Sequence, residues 1–182
     1  TGGDVTDGNA NVWLLNLAEQ SWNSVSNISS QSLTAGQGFL VYVFDDIDFD
    51  GDSDLPVDLF VTGVHNTGNV SIGSIPQNNY YLAGNPYIKT IDWDNVTKTN
   101  LSNVISVWDD ATADWKTWNG SSGDLTNGFI APFQGFWIQA TGGVGSFTIQ
   151  ADDIAISSGT FIGRMRDEEQ AGSLILSFSS GN

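Results

Sequence analysis

The chain has 182 residues and a mass of 19.5 kDa, with 21 Asp plus Glu against 5 Lys plus Arg, one His, one Met and no Cys. A net charge of −16 and a pI near 4.1 oppose nucleic-acid phosphates and anionic lipid headgroups, whose binding needs clustered Lys and Arg, so neither partner is expected. Thiol catalysis, thiolate zinc sites and His-rich metal sites are excluded by the same inventory, while the length suffices to bury a sizeable core without disulfides.

Helix signals are scarce along the chain. Apolar residues alternate in short runs bounded by Gly, Asn, Asp and Ser, which predicts strands over Gly38–Phe44, Val57–Val61, Ser146–Gln150 and Ser173–Phe178. With turn signals between these runs, the expectation is an all-β chain, a β-sandwich of jelly-roll-like or Greek-key type. Short helical turns are expected only at Asp92–Val96, where Asp92 can cap the first amides, and over Arg166–Ala171. No apolar run approaches the roughly 20 residues of a membrane-spanning helix.

The sequence also repeats itself weakly. Val12-Trp13, Trp22 and Gln37-Gly38-Phe39-Leu40-Val41 are echoed by Val107-Trp108, Trp115 and Gln134-Gly135-Phe136-Trp137-Ile138. Two related, closely packed β units are therefore expected, a first over 1–77 and a second over 78–172, with 173–182 a terminal strand belonging to a following unit. The second copy is preceded by the apolar run Tyr80–Tyr87, the first only by Gly- and Asp-rich residues. The opening strand of the first unit is accordingly expected outside the chain, leaving a sheet edge open to pairing.

Between the strands of the first copy lies Asp46-Ile47-Asp48-Phe49-Asp50-Gly51-Asp52-Ser53-Asp54. Carboxylates at every second position with Gly in sixth place match the D-x-D-x-D-G pattern of a calcium loop, in which alternate side chains turn inward around one hard cation. Asp46, Asp48, Asp50, Asp52 and Asp54 are the expected Ca²⁺ ligands. The twelfth place is Val57 rather than a bidentate Glu, and strands rather than helices flank the loop. The alternative is a solvated acidic hairpin tip.

Seven Trp form a second constellation. Trp13, Trp108 and Trp137 occupy echoed or alternating positions and are expected in the core. Trp93, Trp115 and Trp118, with Asn119 in the polar turn that follows, are the candidates for a partly exposed platform that stacks on sugar rings. Asp92, Asp94, Asp109, Asp110 and Asp114 read as turn-stabilising side chains rather than a facing acid–base pair. His65 reads as a surface turn residue. Five Asn-x-Ser/Thr triplets, at Asn27, Asn69, Asn95, Asn100 and Asn119, arise easily in so Asn-rich a chain and matter only in a glycosylating host.

Leu82-Ala83-Gly84-Asn85-Pro86-Tyr87, Ile91-Asp92-Trp93-Asp94, Val107-Trp108-Asp109 and Ile130-Ala131-Pro132-Phe133-Gln134-Gly135-Phe136-Trp137 together resemble a pattern of large secreted surface proteins of Bacteroidetes-type bacteria, often exported by the type IX secretion system. The resemblance spans about Asn11 to Phe178. It implies β-sandwich modules near the C-terminal sorting region of multi-domain proteins, and an internal piece of such a protein. The resulting expectation is a non-catalytic extracellular or cell-surface module, structural or adhesive, stabilised by calcium and assembling through strand edges with its own copies or neighbouring domains. A carbohydrate-binding accessory module, with polysaccharide as partner, is the alternative.

Overall fold

The computed structural model describes residues 9–27, 30–54 and 64–162. Strands β1 (Val12–Asn16), β2 (Ser21–Ser24) and β3 (Leu40–Val41) come first, then β4 (Val70–Ile75), β5 (Tyr80–Gly84), β6 (Ile91–Asp92) and β7 (Thr97–Thr99). They are followed by β8 (Ile105–Asp109), β9 (Asp114–Trp118), β10 (Phe129–Ile130), β11 (Gly135–Gln139) and β12 (Gly145–Ile149), with one 3-10 turn among the described residues, at Thr126–Gly128. The fold is all-β, as the alternation predicts. The expected strands at Val57–Val61 and Ser173–Phe178 and the helical stretch at Arg166–Ala171 lie outside the described residues.

Every paired strand is antiparallel. A four-stranded sheet runs β5-β11-β8-β9 and a three-stranded sheet β4-β12-β7. Their facing residues alternate along each strand: Phe136 and Ile138, Ile105 and Val107, Phe147 and Ile149 are buried, while their neighbours turn outward. Ile75, Ala83, Trp93, Trp118 and Ile130 complete this core. β4, from the stretch expected in the first unit, pairs with β12 along Val70–Ile75. The chain after β12 closes over the sandwich: Ile154 pairs with Ile91, and the Ile162 amide donates to the Gln134 side chain at 2.6 Å.

The third sheet, β2-β1-β3, belongs to the first copy of the repeat. Its order reproduces β9-β8-β11 of the second copy. The expected strand Gly38–Phe44 is only partly regular, because the chain changes partners within it. Gln37 pairs with Ala83 on the free edge of β5, and three residues later Leu40 pairs with Trp13. Gly38 makes the crossing possible, since a Cβ there would lie 2.7 Å from both the Ala83 carbonyl oxygen and the Leu82 side chain. β5 is thus flanked by the Gln-Gly step of both copies, Gln37-Gly38 on one edge and Gln134-Gly135 on the other.

Asp92–Val96 is a turn rather than a helix. Asp92 Oδ1 accepts the Asp94 amide at 3.0 Å and the Asp92 carbonyl accepts the Asn95 amide at 3.1 Å, after which β7 begins. Asp92 therefore caps amides as its side-chain chemistry suggests, and the chain then leaves for the sheet instead of completing a second turn.

Candidate functional site

The acidic loop leaves β3 and returns on itself, with its neck closed by aspartates. The Asp54 amide donates to the Asp45 carbonyl at 2.8 Å, the Ile47 amide to Asp54 Oδ2 at 2.7 Å, and the Ser53 hydroxyl to Asp45 Oδ1 at 2.8 Å. Phe49 and Gly51 take positive φ, 60° and 98°, which reverses the chain. The Gly51 amide then reaches Asp46 Oδ2 at 3.0 Å, and the Asp52 amide reaches Asp50 Oδ1 at 3.1 Å. Phe44 lies edge-on between Tyr42 and Phe49, at 4.8 and 6.3 Å between ring centres, giving the loop an apolar flank.

These turns bring one carboxylate oxygen from each of Asp46, Asp48 and Asp50 within 4.8 Å of one another. The other oxygen atoms are not equivalent. Asp46 Oδ1 is buried and has no hydrogen-bond partner among the described residues. Burying a carboxylate oxygen without a donor is costly, and a cation is one way to satisfy it. Of the five expected ligands, Asp46, Asp48 and Asp50 converge, Asp54 accepts an amide at the neck, and Asp52 stands beside Asp50.

Electrostatics agree with the crowding. Desolvation by the folded loop, then the charges of Asp50, Asp54 and Asp46, hold the Asp48 carboxyl above its ordinary value of 3.8. A hydrogen bond with the Asp50 side chain, then the charges of Asp50, Asp54 and Asp48, raise Asp52 as well. Raised folded values mean that, with no cation bound, these two groups contribute stability below the unfolded carboxylate range and lose it as pH rises through the raised values. The loop is under most strain at neutral pH, where a cation gains most. The difference in melting temperature between calcium-loaded and chelator-treated protein is therefore expected to grow from about pH 4 to about pH 7. Equal differences at both values would contradict the sign.

The tryptophans sort differently from the sequence expectation. Trp93 and Trp118, expected partly exposed, are 1% and 8% accessible. Trp108, expected in the core, is 43% accessible, and Trp115 is 45% accessible. The register supplies the reason. Trp118 pairs with the buried Ile105, on the inner face of β9, whereas Trp115 pairs with Trp108 on the outer face. Residues three apart on a strand point to opposite faces, so Trp115 and Trp118 cannot form one platform. That signal was present in their spacing. Trp93 is carried inward by the Asp92 turn and packs edge-on against Phe136 and Phe147 at 5.2 and 5.7 Å. Trp13 and Trp137 are half-buried.

Asn119 builds its own turn, accepting the Ser121 and Ser122 amides at 3.0 and 2.9 Å. Near it an open recess of about 310 Å³ is lined by Trp93, Asp94, Lys98, Asn103 and Gly120. Asp94 accepts the Trp118 indole N–H at 3.0 Å and the Lys98 ammonium donates to the Trp93 carbonyl, whereas the buried Trp93 indole N–H has no hydrogen-bond partner among the described residues. Burial lowers the pKa of Lys98, against the pull of Asp94, Asp153 and Asp92.

Asp109 and Asp114 serve the turn between β8 and β9. Asp109 accepts the Ala111 amide and the Thr112 hydroxyl, and Asp114 accepts the Trp115 amide. His65 is exposed. Three of the five triplet asparagines, Asn95, Asn100 and Asn119, spend their side-chain amides on hydrogen bonds to Asp92, Val144 and Ser122. No helix among the described residues is long and apolar enough to cross a membrane.

Comparison of the chain with protein-family models, with curated proteins and with solved structures finds no match in any of the three. The functional reading therefore rests on the residues themselves.

Proposed function

We propose that the protein is a non-catalytic, extracellular or cell-surface structural module of a bacterial surface protein, stabilised by Ca²⁺ at the Asp46–Asp54 loop. The observation that carries this reading is the convergence of Asp46, Asp48 and Asp50, together with an Asp46 oxygen that is buried without a hydrogen-bond partner among the described residues. An all-oxygen donor set selects a hard cation, and an irregular loop with three carboxylates suits Ca²⁺, which takes 6–8 oxygens, better than the strictly octahedral Mg²⁺. Backbone carbonyls and water would complete the shell. The resemblance to secreted modules of Bacteroidetes-type proteins supports the location and the partners, neighbouring domains or other copies of the chain.

The test is a calcium titration followed by melting. If the site has the roughly 10⁻⁴–10⁻³ M affinity of extracellular modules, about 10 mM Ca²⁺ stabilises by roughly 1.4–2.7 kcal/mol, or about 3–10 °C for a chain of this size. Asp48→Asn with Asp50→Asn removes that shift while leaving the β spectrum unchanged. A melting temperature indifferent to calcium and chelator would refute the assignment.

A carbohydrate-binding accessory module is the second reading, supported by the exposure of Trp108 and Trp115 on the outer face of β8–β9. Their rings meet at 69° rather than lying coplanar, a geometry better suited to clasping than to a flat sugar-stacking surface. Glycan-array binding lost on Trp115→Ala would favour this reading over the first.

A further inference from the structure

Besides the pairing of Gln37-Gly38 with β5, the two copies of the repeat meet through the first hairpin, and counterparts of that contact recur elsewhere in the chain. The hairpins β1–β2 and β8–β9 are the same structure. Asn16 faces Ser21 as Asp109 faces Asp114. Asn16 Oδ1 accepts the Ala18 amide as Asp109 Oδ1 accepts the Ala111 amide, at 3.2 and 3.1 Å. Gln20 and Ala113 hold φ of 52° and 51° at the same place in the turn. This superposition makes Trp22 the counterpart of Trp115, and it moves the echo of Trp108 from Trp13 to Leu15, with Trp13 matching Ser106. Leu40 pairs with Trp13 and Trp137 pairs with Ser106, so Leu40 and Trp137 are counterparts as well.

Within the chain, the first hairpin docks on the second copy. The Trp22 ring stands edge-on to Trp137 at 5.8 Å and 84°. The Gln20 side chain brackets the backbone of Tyr80, donating to its carbonyl at 3.0 Å and accepting its amide at 2.8 Å, and Asn79 donates to the Leu17 carbonyl at 2.8 Å. Hairpin one is thus held mainly at the start of β5, through Asn79 and Tyr80, with the Trp22–Trp137 contact reaching β11. The corresponding surfaces that remain are hairpin two, with Trp108 and Trp115 exposed, and the strand of copy one, where Phe39, Leu40, Val41 and Tyr42 are all exposed. Each is apolar and unseated within the described residues; hairpin two matches hairpin one, and the strand of copy one matches β11, with no described counterpart of β5 beside it.

We propose that the β8–β9 hairpin of one chain docks on the Phe39–Tyr42 strand of a second copy, repeating the internal joint between molecules. The two surfaces differ, so the contact is head-to-tail and each new chain presents the same two ends, which builds a filament, or a ring where the rotation closes, rather than an isologous dimer. Ala113 lacks the amide with which Gln20 grips Tyr80, so the joint between chains rests on indole packing and is weaker than the internal one. Like charge opposes it: with 21 acidic against 5 basic residues, association strengthens as salt screens the copies from one another. This inference rests on the structural-module reading and names its partner.

Sedimentation equilibrium tests it, on the full chain from about 10 μM to about 1 mM, at low and at moderate salt. The expected mass rises with concentration past the dimer, and rises further with salt. Trp115→Ser and Leu40→Asp each weaken association at least about tenfold, and an equimolar mixture of the two stops at a dimer, because each variant keeps the half that the other has lost. Tyr42→Ser replaces Leu40→Asp if melting shows that β3 does not tolerate the charge. A monomer at every concentration, a plateau at dimer for the unaltered chain, or variants that associate as before would each overturn the joint. Those results leave the module reading standing, since calcium-dependent melting tests that separately.

Discussion

Trp93→Ala is expected to lower stability by about 3–5 kcal/mol, while Trp115→Ala changes it by less than about 1 kcal/mol. The residue type is the same, and the difference lies in the environment. Trp93 is closed off from solvent, holds edge-on contacts with Phe136 and Phe147, and lies under the Lys98 ammonium, 4.8 Å from its ring centre. Its removal leaves a cavity at the centre of the sandwich that rigid strands on both sides cannot collapse to fill. It also strips the aromatic face from a half-buried lysine. Trp115 stands on the outer face, 45% accessible, with its ring edge-on to Trp108. Denaturant melts of the two variants read the contrast directly, and equal losses would mean that Trp93 is not a core residue.

The second large effect is expected at Asn85, which is 2% accessible. Its side-chain amide lies within hydrogen-bond distance of three carbonyls, those of Lys89, Ile130 and Ala131, at 2.8, 3.0 and 3.0 Å. Its Oδ1 accepts the Tyr87 amide at 3.0 Å. One side chain therefore ties the turn after β5 to the end of β10. Asn85→Ala strands buried carbonyls and an amide, at a cost of about 3 kcal/mol. Asn85→Asp is expected to be at least as harmful despite its nearly unchanged size, because a carboxylate turns a lone pair toward carbonyl oxygens that need a donor. If Asp were tolerated, packing rather than hydrogen bonding would explain the position. The Gly-Asn-Pro-Tyr segment, which in the sequence carries a resemblance to secreted modules, thus has a structural task that can be stated without that resemblance.

Local chemistry was legible in the sequence where neighbours along the chain decide it. Alternation over Ser146–Gln150 gives β12 almost residue for residue, since one face of a strand must be apolar when a second sheet covers it. The Asp92 cap and the inward turn of Asp46, Asp48 and Asp50 follow from Asx chemistry and from a glycine at the place where φ must be positive. The two-fold echo gave the order β2-β1-β3 its match in β9-β8-β11, although its alignment was two residues out in the first strand. Trp13 and Trp108 look equivalent by identity, yet the hairpin register equates Trp108 with Leu15.

What only the tertiary structure decided is which tryptophans face water and what lies on either side of β5. A strand pattern fixes that Trp115 and Trp118 are on opposite faces, but not which face the second sheet covers, because that depends on β4, β12 and β7 arriving from distant parts of the chain. In the same way, nothing local to Gln37-Gly38 shows that it will pair with Ala83, some 46 positions later, while the next residues pair with β1. Sequence specified the two faces of each strand and the acid-lined turn. Long-range pairing chose the buried face, and with it which aromatic residues are left on the surface.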